Sequence, residues 1–391
     1  MAIATSQLDA SYFVLDLPDV RWTGAQAGKR VRVVITPQNG QAVEFSESYV
    51  ADTDGAVTLR GLAELVEPYV RPCPTPLRQD LVTGAGVWLA TVVRAAVTVQ
   101  LYKTGNATIQ PTFHTYAYYA SRRTTAKPGA TAMWLTRYTE RTIIPAQPIT
   151  LSVLLQGALS ARLLVEGLQT DGTLATATVA PDFSAADGSS TANAPAYAAV
   201  VHYSLEQVAS LAAVGQVKRI TAELLRSGTV VDSVTFHVDY SHHAQQRIVA
   251  FTNCYGMLET EAFTGIDDLT TEMDAEFSWM EREYQKTSTR EVTQHRLAAR
   301  FTSDTRRDSL RDITASPEVY LIHEDGISCW EKVTVTAFEM TDHKPRTAPQ
   351  TAYLTLRPAA MHQEEVARRG NTDSGHTRHR IFDYTHDYTF N

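Results

Sequence analysis

Through segment after segment of this chain, apolar residues recur at every second position, and that period commits most of it to half-buried strands. "SYFVLDLPDV", "KRVRVVITPQ", "QAVEFSESYV" and "GAVTLR", spread over residues 11–60, alternate in this way, with turn residues between them. Asn39-Gly40 and Asp54-Gly55 are the strongest short hairpin signals, because a type I′ turn needs positive φ at both central positions. "RGLAELVEPYV" departs from the pattern: Leu62, Leu65 and Val66 lie at helical spacing, and Pro68 is expected to close the turn. "VWLATVVRAAVTVQLY" and "TFHTYAYYASRR" return to β composition.

A second β segment starts near "AMWLTRYTERTIIPAQPITLSVLL", where Pro145 and Pro148 mark a sheet edge, since proline cannot sit in a central ladder. "VAPDFSAADGSSTANAPAYAAV" reads as a long exposed loop. Ser204, with Gln207 three positions on, opens a short helix through a capping box. "VKRITAELLRSGTVVDSVTFHVDY" is a hairpin turning at Ser227-Gly228, with Val234, Phe236 and Val238 on one face and His237 on the other. From residue 247 the composition changes. "TEMDAEFSWMEREYQKTSTREVTQHRLAARFTS" is a charged alternating strand, "DTRRDSLRDITASPEVYLI" a short helix stopped at Pro317 and then a strand, and "CWEKVTVTAFEMTD" and "TAYLTLRPA" two more strands.

The expected fold is therefore mainly β. Two β-sandwich-like domains occupy residues 1–125 and 126–246, a smaller β-rich domain with one short helix occupies 247–360, and an extended arm occupies 361–391. At 391 residues, two or three domains are the ordinary expectation. The arm is polar until "IFDYTHDYTF", where Ile381, Phe382, Tyr384, Tyr388 and Phe390 form a late strand pattern suited to assembly.

A formal net charge of −8 argues against general nucleic-acid binding, which requires a basic face. The longest apolar runs are too short to cross a bilayer, so no membrane partner is expected. The first residues lack the basic and apolar regions of a secretory signal, so synthesis in the cytoplasm is the expectation. Cys73, Cys254 and Cys329 are scattered and give neither a disulfide framework nor a zinc pattern.

Four places could carry chemistry. In "FTNCYGMLETEAFTG" a nucleophile at Cys254 with Glu259 or Glu261 as acid competes with a plain structural corner, and no catalytic signature surrounds the cysteine. His242-His243 and His362, His376, His379 and His386 lack metal-ligand spacing. "DTDG" at 52–55 is a turn without the later oxygen ligands of a calcium loop. Tyr116, Tyr118, Tyr119 and Trp134 read as strand residues, and as stacking surfaces only if the chain is a glycan-binding module. No catalytic residue, metal or cofactor is assigned. A hydrolase with dispersed carboxylates would leave no local mark.

One stretch carries a resemblance. Phe251, Asn253, Tyr255, Gly256, Glu259, Phe263, Thr264 and Gly265 stand at the places of a Phe-x-Asn-x-Tyr-Gly corner followed by Glu and aromatic-Thr-Gly. With the helix before "SPEVYLI" and the "EKVTVT" strand, this resembles structural proteins of the distal-tail and baseplate type from phages and prophages of Bacteroidetes. The resemblance implies a non-enzymatic component of a virion tail. It also implies a homo-oligomeric ring or collar that meets neighbouring tail proteins. The corner itself is read as architecture: the Asn253 side chain bonds its own turn backbone, and Gly256 takes a φ denied to other residues.

Overall fold

The computed structural model describes residues 3–4, 10–23, 29–38, 40–71, 86–103, 106–109, 112–124, 126–128, 132–155, 159–183, 197–243, 245–280, 283–301, 304–322, 330–340 and 350–359. The fold is mainly β, with five sheets and three α-helices among these residues. The arm residues Ile381, Phe382, Tyr384, Tyr388 and Phe390, His362, His376, His379, His386, Cys73, Cys329 and most of the loop expected after Val179 lie outside them.

In the N-terminal part, a sheet of Ser11–Phe13, Phe113–Tyr118, Arg94–Lys103, Lys29–Pro37 and Val43–Tyr49, in that order, packs on a small sheet of Ile3–Ala4, Val20–Trp22 and Val57–Leu59. Helix α1 (Leu62–Val70) packs with them, burying Leu62, Val66 and Val70 beside Val33, Ile35, Val97 and Val99. The helix runs through Pro68 instead of ending there. Proline in the last turn removes one backbone donor, and the three buried side chains on one face outweigh that loss. Lys29–Pro37 and Val43–Tyr49 form the expected hairpin, although the connection is longer than a two-residue turn. Asp54-Gly55 does form a turn, but not a hairpin. Asp52 Oδ1 accepts from the backbone N–H groups of Asp54 (3.0 Å) and Ala56 (2.7 Å), and the strands on either side belong to different sheets.

The middle part is a sandwich of unequal sheets. Glu140–Ile143, Thr229–Val238, Gln216–Arg226, Leu159–Leu168 and Leu174–Val179 face Ile149–Leu154, Tyr197–Tyr203 and Gly86–Thr91. Trp134, Ile149, Leu151, Leu163, Ile220 and Phe236 fill the space between. The two strands that flank Pro145 and Pro148 are both sheet edges, as their prolines require. Ser227 (φ 51°) and Gly228 (φ 81°) make the hairpin turn at the expected place. Helix α2 (Leu205–Leu211) carries the full capping box, Ser204 Oγ accepting from Gln207 N (3.2 Å) and Gln207 Oε1 from Ser204 N (2.7 Å).

Strand pairing crosses the boundary expected at 125/126. "VWLATVVRAAVTVQLY" breaks at Val92, which is buried, and Gly86–Thr91 leaves for the middle sandwich while Arg94–Lys103 stays in the N-terminal sheet.

The C-terminal part is one seven-stranded antiparallel sheet. Its order is Leu258–Phe263, Arg247–Thr252, Val319–Ile322, Trp330–Met340, Gln350–Pro358, Glu283–Phe301 and Asp267–Met280. Helix α3 (Asp304–Ala315) lays Leu310 and Ile313 on it, against Val249, Phe251, Leu321 and Leu354. The segment expected to be a single charged strand is two, Asp267–Met280 and Glu283–Phe301, paired as a hairpin. Alternation alone cannot place a turn inside a continuous charged run.

Candidate functional site

Residues 251–265 form the hairpin in which Arg247–Thr252 meets Leu258–Phe263. Asn253 organises the turn. Its Oδ1 accepts from the N–H groups of Tyr255 (3.0 Å) and Met257 (3.1 Å), while its Nδ2 donates to Leu135 O (2.8 Å) and Glu259 Oε2 (2.9 Å). Gly256 sits at φ 78°, where a Cβ would lie 2.7 Å from Tyr119 Cδ1. Gly265 approaches its neighbour equally closely, with its N–H on Ala298 O at 3.1 Å. Phe251 and Phe263 are buried in the C-terminal core, and Thr264 is half-buried at the hairpin's exit.

The turn is also where three parts of the chain meet. Met257 packs with Phe13, Val92 and Tyr118 from the N-terminal part and with Leu135, Leu154 and Ala198 from the middle sandwich. The Tyr255 ring lies 5.2 Å from that of Phe13, and Ser121 N donates to Cys254 O (3.0 Å). The corner is thus a buried joint.

A charged group lies beside it. The strand Leu258–Phe263 is an edge of its sheet, and Arg141, from the edge of the middle sandwich, closes that edge by donating to Thr260 O. The same guanidinium reaches Glu261 Oε2 (2.5 Å) and Glu259 Oε1 (3.4 Å) and stacks on Tyr138 (4.8 Å). Gln147 Nε2 also donates to Thr260 O (3.0 Å). Helix α3 supplies the other side: Arg306 pairs with Glu261 (3.2 Å), and Ser309 Oγ donates to Glu259 Oε1 (3.3 Å). One turn further on, Asp312 is held between Arg122 (2.9 Å) and Arg137 (3.4 Å), and Arg137 also reaches Asp308 (3.0 Å). Arg141, Glu259, Glu261 and Asp312 are all buried.

These surroundings decide the chemistry open to Cys254. Burial, with the Asp312 carboxylate next to it, pushes the thiol far above its ordinary range. A reactive cysteine needs the reverse, a thiolate favoured by positive charge or an imidazole. His243, the nearer described histidine of the pair in sequence, is engaged with Asp239 at 3.2 Å. Among the described residues, no group of three or more His, Cys, Asp or Glu could hold a metal ion. The stacking surfaces of the glycan-binding alternative are also spent. Trp134, Tyr118 and Tyr119 are buried, and the half-buried Tyr116 is covered by Arg94 at 4.8 Å.

Burial pushes the Glu259 carboxyl up to about 7 and holds the His202 imidazole, which bonds Thr150 Oγ1 at 2.8 Å, down at about 4. The two act in opposite directions. A raised carboxyl gives stability that is complete below its unfolded value of about 4.3 and is lost as pH climbs towards 7. A depressed imidazole gives stability that is complete above about 6.5 and is lost as pH falls towards 4. Glu259→Gln removes only the first. Its urea midpoint should therefore gain on that of the natural chain between about pH 4.5 and 7, by about 2 kcal/mol in stability. A difference between the two chains that does not vary with pH would contradict the assignment.

Sequence reasoning found the hairpin and missed Arg122, Arg137, Arg141, Gln147 and Asp312. The one available signal was parity: in "LETEAF", Glu259 and Glu261 share a face with Phe263, and two acids on a core face require cations. No helix among the described residues is long and apolar enough to cross a membrane. No family model matches the chain, and a search of the curated proteins returns no match.

Proposed function

We propose that this chain is a non-enzymatic structural component of a phage-like virion, a distal-tail, baseplate or tail-adaptor protein that assembles with itself into a ring and meets neighbouring tail proteins. The observation that carries the reading is the hairpin of Asp267–Met280 and Glu283–Phe301. Among the described residues only its base is covered: Gln350–Pro358 pairs with 295–301, and beyond that pairing the hairpin continues as two strands, 270–280 against 283–294. At about 3.4 Å per residue it reaches roughly 35 Å past the sheet. A two-stranded ribbon is marginal by itself, and its open edges are templates for another chain.

The sequence of the ribbon suits a selective contact. In the ribbon itself, 270–280 carries Glu272, Asp274 and Glu276 and no base, while 283–294 carries Lys286 and Arg290 together with Glu283 and Glu291. Charges of this kind steer a partner and set its register more than they add affinity. The buried joint complements this role, because a subunit that bears load through an arm must hold its parts in fixed relation.

Replacing residues 273–291 by Asn-Gly tests the reading. The shortened chain is expected to keep its melting temperature and lose assembly, as read by light scattering on a size-exclusion column. Assembly equal to that of the natural chain would overturn it.

A further inference from the structure

Among the described residues, the middle sandwich is open along one flank. Its edge strands Glu140–Ile143 and Ile149–Leu154 both border Leu258–Phe263, through Arg141 on Thr260 O and through Thr260 Oγ1 on Pro148 O (3.3 Å). They mark the same flank, so Gly86–Thr91 and Leu174–Val179, the opposite ends of the two sheets, bound the other one. Leu89 pairs with Ala199 and therefore shares its core-directed face, as Val87 does with Val201. Leu89 is nevertheless 41% exposed, and across from it the core-facing Ala175 and Ala177 are only half-buried. The edge itself, "GVWLAT", has no charge, no proline and no bulge, the devices by which free edges are ordinarily protected. Among the described residues, five strands face three, and the smaller sheet is the one that ends at Gly86–Thr91.

The sequence limits what that strand is. Residues 72–85 contain Pro72, Pro74 and Pro76, residues 184–196 are small and polar, and 323–329 and 341–349 have turn composition. Only 381–390, "IFDYTHDYTF", alternates strictly, with Phe382, Tyr384, His386, Tyr388 and Phe390 on one parity. Large aromatic residues on one face are what a flank lined by leucine and alanines lacks.

We propose that residues 381–390 of a neighbouring copy add as a strand to the free edge of Gly86–Thr91 and complete the sandwich. This rests on the assembly reading above and names its donor and acceptor. The intervening residues 360–380 can span up to roughly 70 Å, enough to leave one subunit for the next. An arm passed in one direction is a heterologous contact, which gives a ring when the rotation between copies closes and an open filament when it does not.

The test uses full-length chains with Cys73 and Cys329 changed to serine. One tagged chain carries Leu89→Cys, and a second, differently tagged, carries Tyr384→Cys or Tyr388→Cys. Mild oxidation of the mixture is expected to give a disulfide-linked pair bearing both tags. In parallel, Leu89→Lys and Tyr384→Asp should each raise the concentration needed for assembly by roughly 100-fold or more, the scale on which a disrupted central contact acts, while leaving the melting temperature of the monomer in place. Rings that persist in Leu89→Lys, or that form without the cross-link, overturn this docking and leave the assembly reading intact. A natural chain that stays monomeric overturns both.

Discussion

Replacing Arg141 by alanine is expected to destabilise the chain by roughly 3–5 kcal/mol at neutral pH, seen as a large fall in its urea midpoint. The residue it removes is the cation shared by Glu259 and Glu261 and the donor that closes the edge at Thr260. Glu259 would lose its cation and Glu261 would keep only the part-exposed Arg306, in a site where water does not replace the guanidinium, and the uncompensated buried charge dominates the loss. Removing the acids with the base should recover much of it: Arg141→Met with Glu259→Gln and Glu261→Gln strands no buried charge, since Arg306, the other cation on Glu261, is part-exposed. Because the Glu259 carboxyl is held near 7, Glu259→Gln alone is expected to be close to neutral or slightly stabilising at that pH. A loss from Arg141→Ala below about 1 kcal/mol, the value of an exposed pair, would mean that the joint is wet.

The second large effect lies in the turn itself. Gly256→Val should destabilise by about 3 kcal/mol or more, since it combines a backbone conformation that β-branched residues avoid with a Cβ 2.7 Å from the Tyr119 ring. Gly172 supplies the control. It has a similar φ, 82°, with nothing within 4 Å of the added carbon, so Gly172→Ala should show the backbone effect alone, about 1 kcal/mol. If Gly256→Ala proves no worse than Gly172→Ala in thermal or urea unfolding, the close packing of the corner against Tyr119 is refuted.

Local structure was legible where one residue type answers one local demand. Ser204 with Gln207, Ser227-Gly228 and the Asn253–Gly256 turn each solve a hydrogen-bonding or φ problem within a few residues, and each stands where the sequence places it. The period-2 pattern also gave the strands and the buried faces of Val234 and Phe236. Sheet membership was not legible. Alternation says which side of a strand is inward, but not which sheet the strand joins, so the departure of Gly86–Thr91 from its neighbour at Val92 left no mark. The same limit hid the meaning of Asp54-Gly55, a well-formed turn between strands that do not pair.

At the joint the difficulty was distance along the chain. Arg141 lies more than a hundred residues from Glu259 and Glu261, and Arg122 and Arg137 are farther still from Asp312. No local spacing encodes such pairs. What the sequence could offer was the oddity of two acids on the parity of Phe263, a demand for partners without their identity. Cys254, Glu259 and Glu261, singled out together for chemistry, are packed into that joint, and burial pushes the Cys254 thiol away from reactivity.

The most direct test of the account is the mass of the purified full-length chain in solution, followed over concentration by light scattering and checked by negative-stain imaging. A discrete, concentration-dependent oligomer is expected, seen as closed rings of uniform diameter and weakening as salt is raised. A chain that remains a monomer throughout, with no rings in the images, would contradict it.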